Sequence, residues 1–178
     1  LRKEKIERMC FYHLVYTGRG SRLREEDLTH EETRKLIDLI AMQTRKMFDD
    51  GLQHPVEVLY WNDEDCEYCA DTQQLLEEVS AISPKLSLKV YDLVQDQELA
   101  KQYRINKAPG FTVLGKDGDQ VTDFGVRFFG ITSGHEFSTL IHTLVMVSGR
   151  DSGLDAQTRQ ALKELKRPVH LQVFVTPT

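Results

Sequence analysis

Two of the three cysteines stand in the motif Cys66-Glu67-Tyr68-Cys69. That spacing suits thiol–disulfide chemistry. Only a thiolate attacks a disulfide, and a free cysteine is mostly protonated at neutral pH. A helix beginning at Cys66 stabilises the thiolate through the unpaired N–H groups and dipole of its first turn. Two intervening residues place Cys69 one turn on and on the same side, where it can resolve a mixed disulfide. The pattern assigns Cys66 as the exposed attacking thiol and Cys69 as the buried one. Two other uses of the pair stand beside this: a redox-silent structural disulfide and a metal site. Cys10-Phe11-Tyr12-His13 is a C-x-x-H that could complete four zinc ligands, but no other feature demands zinc, and no metal is assigned. The histidines are scattered, and His135 and His142 read as helix-surface or packing residues. No motif places a carboxylate as a hydrolytic acid or base. Gly125 and Gly130 match no phosphate-loop pattern.

The elements that must hold the pair follow from periodicity. Thr29 and Glu32 form a capping box before Leu36, Ile40 and Met47 at helical spacing, and Gly51 closes that helix. Residues 56–61 are a short apolar run with β-branched and aromatic members, which predicts a buried strand. Asn62-Asp63-Glu64-Asp65 is a loop with helix N-cap chemistry, and a helix follows from Cys66 until Ser83-Pro84. Leu86, Leu88 and Val90 alternate as a second strand, and residues 96–104 form a short helix. Ala108-Pro109 precedes a third strand at 111–114. Lys116-Asp117-Gly118-Asp119 carries a hairpin signal before a fourth strand over 121–129. Ser133 and Glu136 then cap an amphipathic helix that ends at Gly149.

This order predicts an α/β unit: a four-stranded mixed sheet flanked by helices, with the first two strands parallel and the hairpin antiparallel. The organisation expected is a weakly structured tail over 1–28, a unit over 29–150, and a connector helix and strand over 151–178.

Composition narrows the class. The 178 residues are 40% hydrophobic and 29% charged, with a net charge of -5. No apolar run approaches the ~20 residues of a membrane span, so no membrane is expected. A negative chain is a poor binder of nucleic acid, and none is expected as partner. Three cysteines are too few for a stapled secreted scaffold, which points to a reducing, cytoplasmic setting or to a working thiol pair. The charge is uneven. Residues 1–24 hold seven Lys or Arg against two Glu, whereas no Lys or Arg occurs between Lys46 and Lys85. Both motif cysteines sit inside that acidic block. The tail carries Cys10, which reads as a lone thiol. The chain begins at Leu1 rather than Met, which suggests upstream material removed or an artefactual start.

The chain resembles the thioredoxin superfamily. It is most similar to the two-unit, glutaredoxin-like protein disulfide oxidoreductases. The resemblance rests on Cys66-Glu67-Tyr68-Cys69, on Tyr103-Arg104-Ile105-Asn106-Lys107-Ala108-Pro109, on residues 123–130 and on Gly134-His135-Glu136-Phe137. It implies a thioredoxin-like fold, a cis bond at Ala108-Pro109, and a client groove lined by Glu67, Tyr68, Ala108 and Pro109, with Cys66 and Cys69 as catalytic residues. It also implies disulfide-containing client proteins, a thioredoxin-reductase-like flavoprotein as electron partner, and no dissociable cofactor. The alternative is a redox-silent structural or docking module of a larger redox protein. A zinc-binding module is third.

An internal repeat agrees with two units. His54-Pro55-Val56-Glu57-Val58 lies on Arg167-Pro168-Val169-His170-Leu171, and Trp61 then matches Phe174. In this register the chain stops where the second redox motif of such relatives begins. The strand over 169–175 is then a first strand without its sheet, expected to pair with a neighbouring molecule as a dimer contact or to lie disordered. The resemblance has departures. Thioredoxins carry a buried acid six residues before the first cysteine, and here that position is Tyr60. Asp63, Glu64, Asp65 and Glu67 oppose the helix dipole, so a milder thiolate at Cys66 is expected.

Overall fold

A computed structural model describes residues 30–175. The expectations for residues 1–28, including Cys10 and His13, and for the cap at Thr29 lie outside them. The elements follow in the order α1 (His30–Gly51), β1 (Val56–Asn62), α2 (Cys69–Ala81), β2 (Leu86–Asp92), α3 (Gln97–Gln102), β3 (Gly110–Asp117), β4 (Gln120–Phe129), α4 (His135–Gly149) and α5 (Ala156–Lys163).

The sheet order is β2-β1-β3-β4. β1 pairs parallel with β2 and antiparallel with β3, and β3 and β4 form the antiparallel hairpin. A strand covered on both faces needs apolar residues throughout. β1 fits this, and its six residues Val56 to Trp61 are all buried. Alternate side chains point to opposite faces. Val56, Val58 and Tyr60 face the larger core, where Phe48 of α1, Leu76 and Val79 of α2, and Leu140 and Leu144 of α4 cover them. Leu59 and Trp61 face the other side, against Ala100 of α3 and Tyr103 just after it. Each large apolar side chain buried this way contributes about 1.5–3 kcal/mol. Trp61 is fully buried and stacks on Tyr91 at 5.3 Å between ring centroids.

Glu57 is the exception on β1, a buried carboxylate on the α3 side. Lys89 of β2 and Lys116 of β3 reach it at 3.2 and 2.8 Å, so one acid on the central strand ties three strands together. Ser148, at the end of α4, accepts a hydrogen bond from the His54 N–H at 2.9 Å and donates one to the His54 carbonyl. This pins the entrance of β1 to the last helix of the unit.

Several expectations need correction. The helix expected from Cys66 begins at Cys69, because Asp65 and Cys69 turn the loop back through their own N–H bonds to Asp63 Oδ1 and the Cys66 carbonyl. The cap of α4 is Gly134 rather than Ser133, and it makes no side-chain hydrogen bond. Residues 169–175 form no strand among the described residues, and Leu171, Val173 and Phe174 are at least 76% exposed. A strand requires a partner for its N–H and C=O groups, and none of the described strands lies beside this segment. No helix among the described residues is long and apolar enough to cross a membrane.

Candidate active site

The loop after β1 carries the thiol pair. The Asp65 N–H bonds Asp63 Oδ1 at 3.3 Å, an Asx-type turn that aspartate favours. The Cys69 N–H then closes a turn on the Cys66 carbonyl at 3.4 Å. The first helical bond of α2 runs from the Thr72 N–H to the Tyr68 carbonyl at 3.0 Å, so Tyr68 is the N-cap and Cys66 lies two residues before it. The helix terminus therefore acts on Cys66 from across the turn, not from within its first turn.

Cys66 and Cys69 are joined as a disulfide, with Cα atoms 5.4 Å apart. Cys66 is half-buried, whereas Cys69 is 6% exposed. The two intervening side chains, Glu67 and Tyr68, are exposed. Cys66 is thus the more open residue of the pair and Cys69 the enclosed one, although Cys66 is not fully exposed as the spacing suggested.

The Ala108–Pro109 bond is cis. Trp61 pairs with Gly110, so Pro109 lies beside the end of β1 from which the loop to Cys66 departs. Pro109 is buried and Ala108 is half-buried. The Pro109 carbonyl accepts from the Gly130 N–H at 2.8 Å, which ties this loop to the turn after β4. The sheet register thus brings the proline loop and the thiol loop to one end of the sheet. A shallow groove of about 210 Å³ runs along α2, lined by Asp71, Gln74, Leu75, Glu78, Ile131 and Ser133. The larger hollow, about 250 Å³, lies on the α3 face against Glu57, Lys89 and Lys116 and holds neither cysteine.

Residue spacing alone did not reveal one contact. Tyr60 is fully buried, and its hydroxyl donates to the Cys69 carbonyl at 2.8 Å. Burial pushes the Tyr60 hydroxyl up to about 12, so it stays a neutral donor. The signal available was its place six residues before Cys66, where thioredoxins carry an acid. Beside it, Thr72 Oγ1 donates to the Tyr68 carbonyl at 2.7 Å. Two adjacent carbonyls at the start of α2 thus each hold a hydroxyl.

The fold matches a solved protein disulfide oxidoreductase from Aeropyrum pernix with a TM-score of 0.61 and 26% identity, over 79% of this chain and 56% of that one. The fold is thioredoxin-like. Part of the chain also matches curated proteins. It is 44% identical over 94 residues to Fe-coproporphyrin III synthase of Methanosarcina barkeri, covering 53% of this chain and 22% of that protein. It is 30% identical over 112 residues to the AhpF component of the alkyl hydroperoxide reductase of Staphylococcus aureus, covering 63% and 19%. The chain spans about a fifth of the length of these curated relatives. No family model matches the sequence.

Proposed function

We propose that this thioredoxin-like unit is a thiol–disulfide oxidoreductase acting on protein disulfides. The observation that carries the reading is the Cys66–Cys69 disulfide at the β1–α2 junction, with Cys66 half-buried and Cys69 enclosed. In the reduced protein, the Cys66 thiolate attacks one sulfur of a client disulfide and expels the other as a thiolate. Cys69 then attacks Cys66 Sγ, breaks the mixed bond and releases the second client thiol. Two electrons pass from the pair to the client, and the Cys66–Cys69 bond forms. Glu67, Tyr68, Ala108 and Pro109 border the attack path in this reading. In this reading residues 30–150 form the working unit.

Re-reduction requires an external dithiol or a flavoprotein reductase. The similarity to the AhpF component of alkyl hydroperoxide reductase supports a place within, or beside, a larger redox protein with such a partner. The retained cysteine pair favours a working unit over a docking module, since docking needs neither sulfur.

Reduction of insulin disulfides by dithiothreitol tests the reading. Wild type accelerates precipitation of the insulin B chain, and Cys66→Ser abolishes the acceleration. Full activity in Cys66→Ser would overturn the proposal.

A further inference from the structure

Mixed-disulfide chemistry sets a geometric problem. While Cys66 is bonded to a client, the Cys66–Cys69 bond is absent, and nothing covalent fixes the resolving sulfur near its target. An intramolecular step is fast only when the reacting atoms are already placed. The chain must therefore hold Cys69 by other means.

Tyr60 and Thr72 supply them. Tyr60 projects from β1, one of the two inner strands, and its ring is set in the buried core. Its hydroxyl reaches the carbonyl of Cys69 itself at 2.8 Å. Thr72 Oγ1 holds the preceding carbonyl, that of Tyr68, at 2.7 Å from within α2. Of these two bonds, the one from Tyr60 links the backbone of Cys69 to the sheet. Cys66 instead stands in the turn before the helix, followed by the exposed Glu67 and Tyr68. A carboxylate at position 60 would titrate and would change the charge beside the sulfur. A hydroxyl held neutral by burial does neither.

We propose that Tyr60 is a positioning residue for the resolving step, a neutral tether that keeps Cys69 in line with Cys66 while the mixed disulfide exists. The inference rests on the assignment of Cys69 as resolving thiol made above.

The test is a two-phase reaction of the reduced full chain with 5,5′-dithiobis(2-nitrobenzoate), in a Cys10→Ser background so that only the pair reports. Attack by Cys66 releases one thionitrobenzoate and leaves a mixed disulfide. Attack by Cys69 releases the second and forms Cys66–Cys69. Tyr60→Phe keeps the ring and removes only the hydroxyl. The expected result is an unchanged first phase and a second phase slowed about fivefold, the scale of one buried hydrogen bond. An unchanged second phase, or two phases slowed equally, overturns the tether. A wild type that releases only one equivalent overturns the dithiol reading instead, so the two failures are distinct. A second measurement needs no variant. The Tyr60 hydroxyl proton is expected to stay protected from exchange in both oxidised and reduced wild type, and free exchange on reduction overturns the tether.

Discussion

Trp61 of β1 and Gly110 of β3 lie directly opposite each other in the antiparallel register, which sets the cis proline beside the departure point of the thiol loop. There is no room at Gly110 for a side chain. A Cβ there would stand 2.5 Å from the Lys107 carbonyl oxygen and 3.0 Å from Ile105 Cγ2. Gly110→Ala is expected to destabilise the unit by about 1–3 kcal/mol, the usual cost of overpacking. Urea unfolding measures this, and an unchanged midpoint would show that the loop yields freely.

The buried acid Glu57 makes stability depend on pH. Burial raises its pKa, but the hydrogen bonds and charges of Lys116 and Lys89 outweigh that and lower it below the ordinary 4.5. A carboxyl with a depressed folded pKa contributes stability that is fully present above the unfolded value and is lost as pH falls through the folded one. Hydrogen bonding to Glu57 raises Lys89, so its contribution is present below 10.5 and fades as pH rises through the higher folded value. Unfolding midpoints are therefore expected to drop on acidification below about 4.5, and Glu57→Gln to flatten that drop. An equally steep acid limb in Glu57→Gln would place the dependence elsewhere.

The cysteines are expected to behave differently when removed singly. Cys69→Ser leaves the attacking thiol without a resolver, so disulfide adducts on Cys66 accumulate and persist in non-reducing mass spectrometry. Cys66→Ser leaves only the enclosed thiol of the pair and accumulates little adduct. Equal adduct levels would show that the two sulfurs are equally approachable.

Arg127 clamps the hairpin to the segment that follows α3. Its guanidinium grips both oxygens of Asp123, at 2.9 and 2.6 Å, and also donates to Thr112 Oγ1 and the Tyr103 carbonyl. A lysine cannot reproduce that planar fork. Arg127→Lys is expected to cost about 1–3 kcal/mol in urea unfolding, because a partly buried acceptor set loses its donors. A cost near zero would reduce this network to surface decoration.

Much of this arrangement was legible in the residues. Val56 to Trp61 read as a buried strand from their β-branched and aromatic run, and the parallel β1–β2 pairing follows from the helix between them. The cysteine spacing foretold which sulfur would be buried. The start of α2 was harder, because Asp63, Asp65 and Cys66 form turns whose bonds compete with the helix. The Tyr60–Cys69 contact was hidden for another reason: it joins a strand face to a helix start, and periodicity describes each element separately. Residues 169–175 failed as a strand because alternation states only that a segment suits a sheet, not that one stands beside it.

That exposed segment carries its own expectation. Leu171, Val173 and Phe174 are largely exposed apolar side chains on a segment without a sheet partner among the described residues, a pattern suited to pairing with a second copy. Light scattering is expected to show a concentration-dependent dimer, and Phe174→Lys to shift it toward monomer. A monomer at every concentration, with amides 169–175 protected from exchange, would contradict this.

The order β2-β1-β3-β4 has a consequence for durability. The thiol loop hangs from β1, which is hydrogen-bonded on both sides, whereas the outer face of β4 is largely solvated. Local opening begins where few apolar contacts hold a segment. Mild heat is therefore expected to fray β4 before β1, the strand that carries the thiol loop.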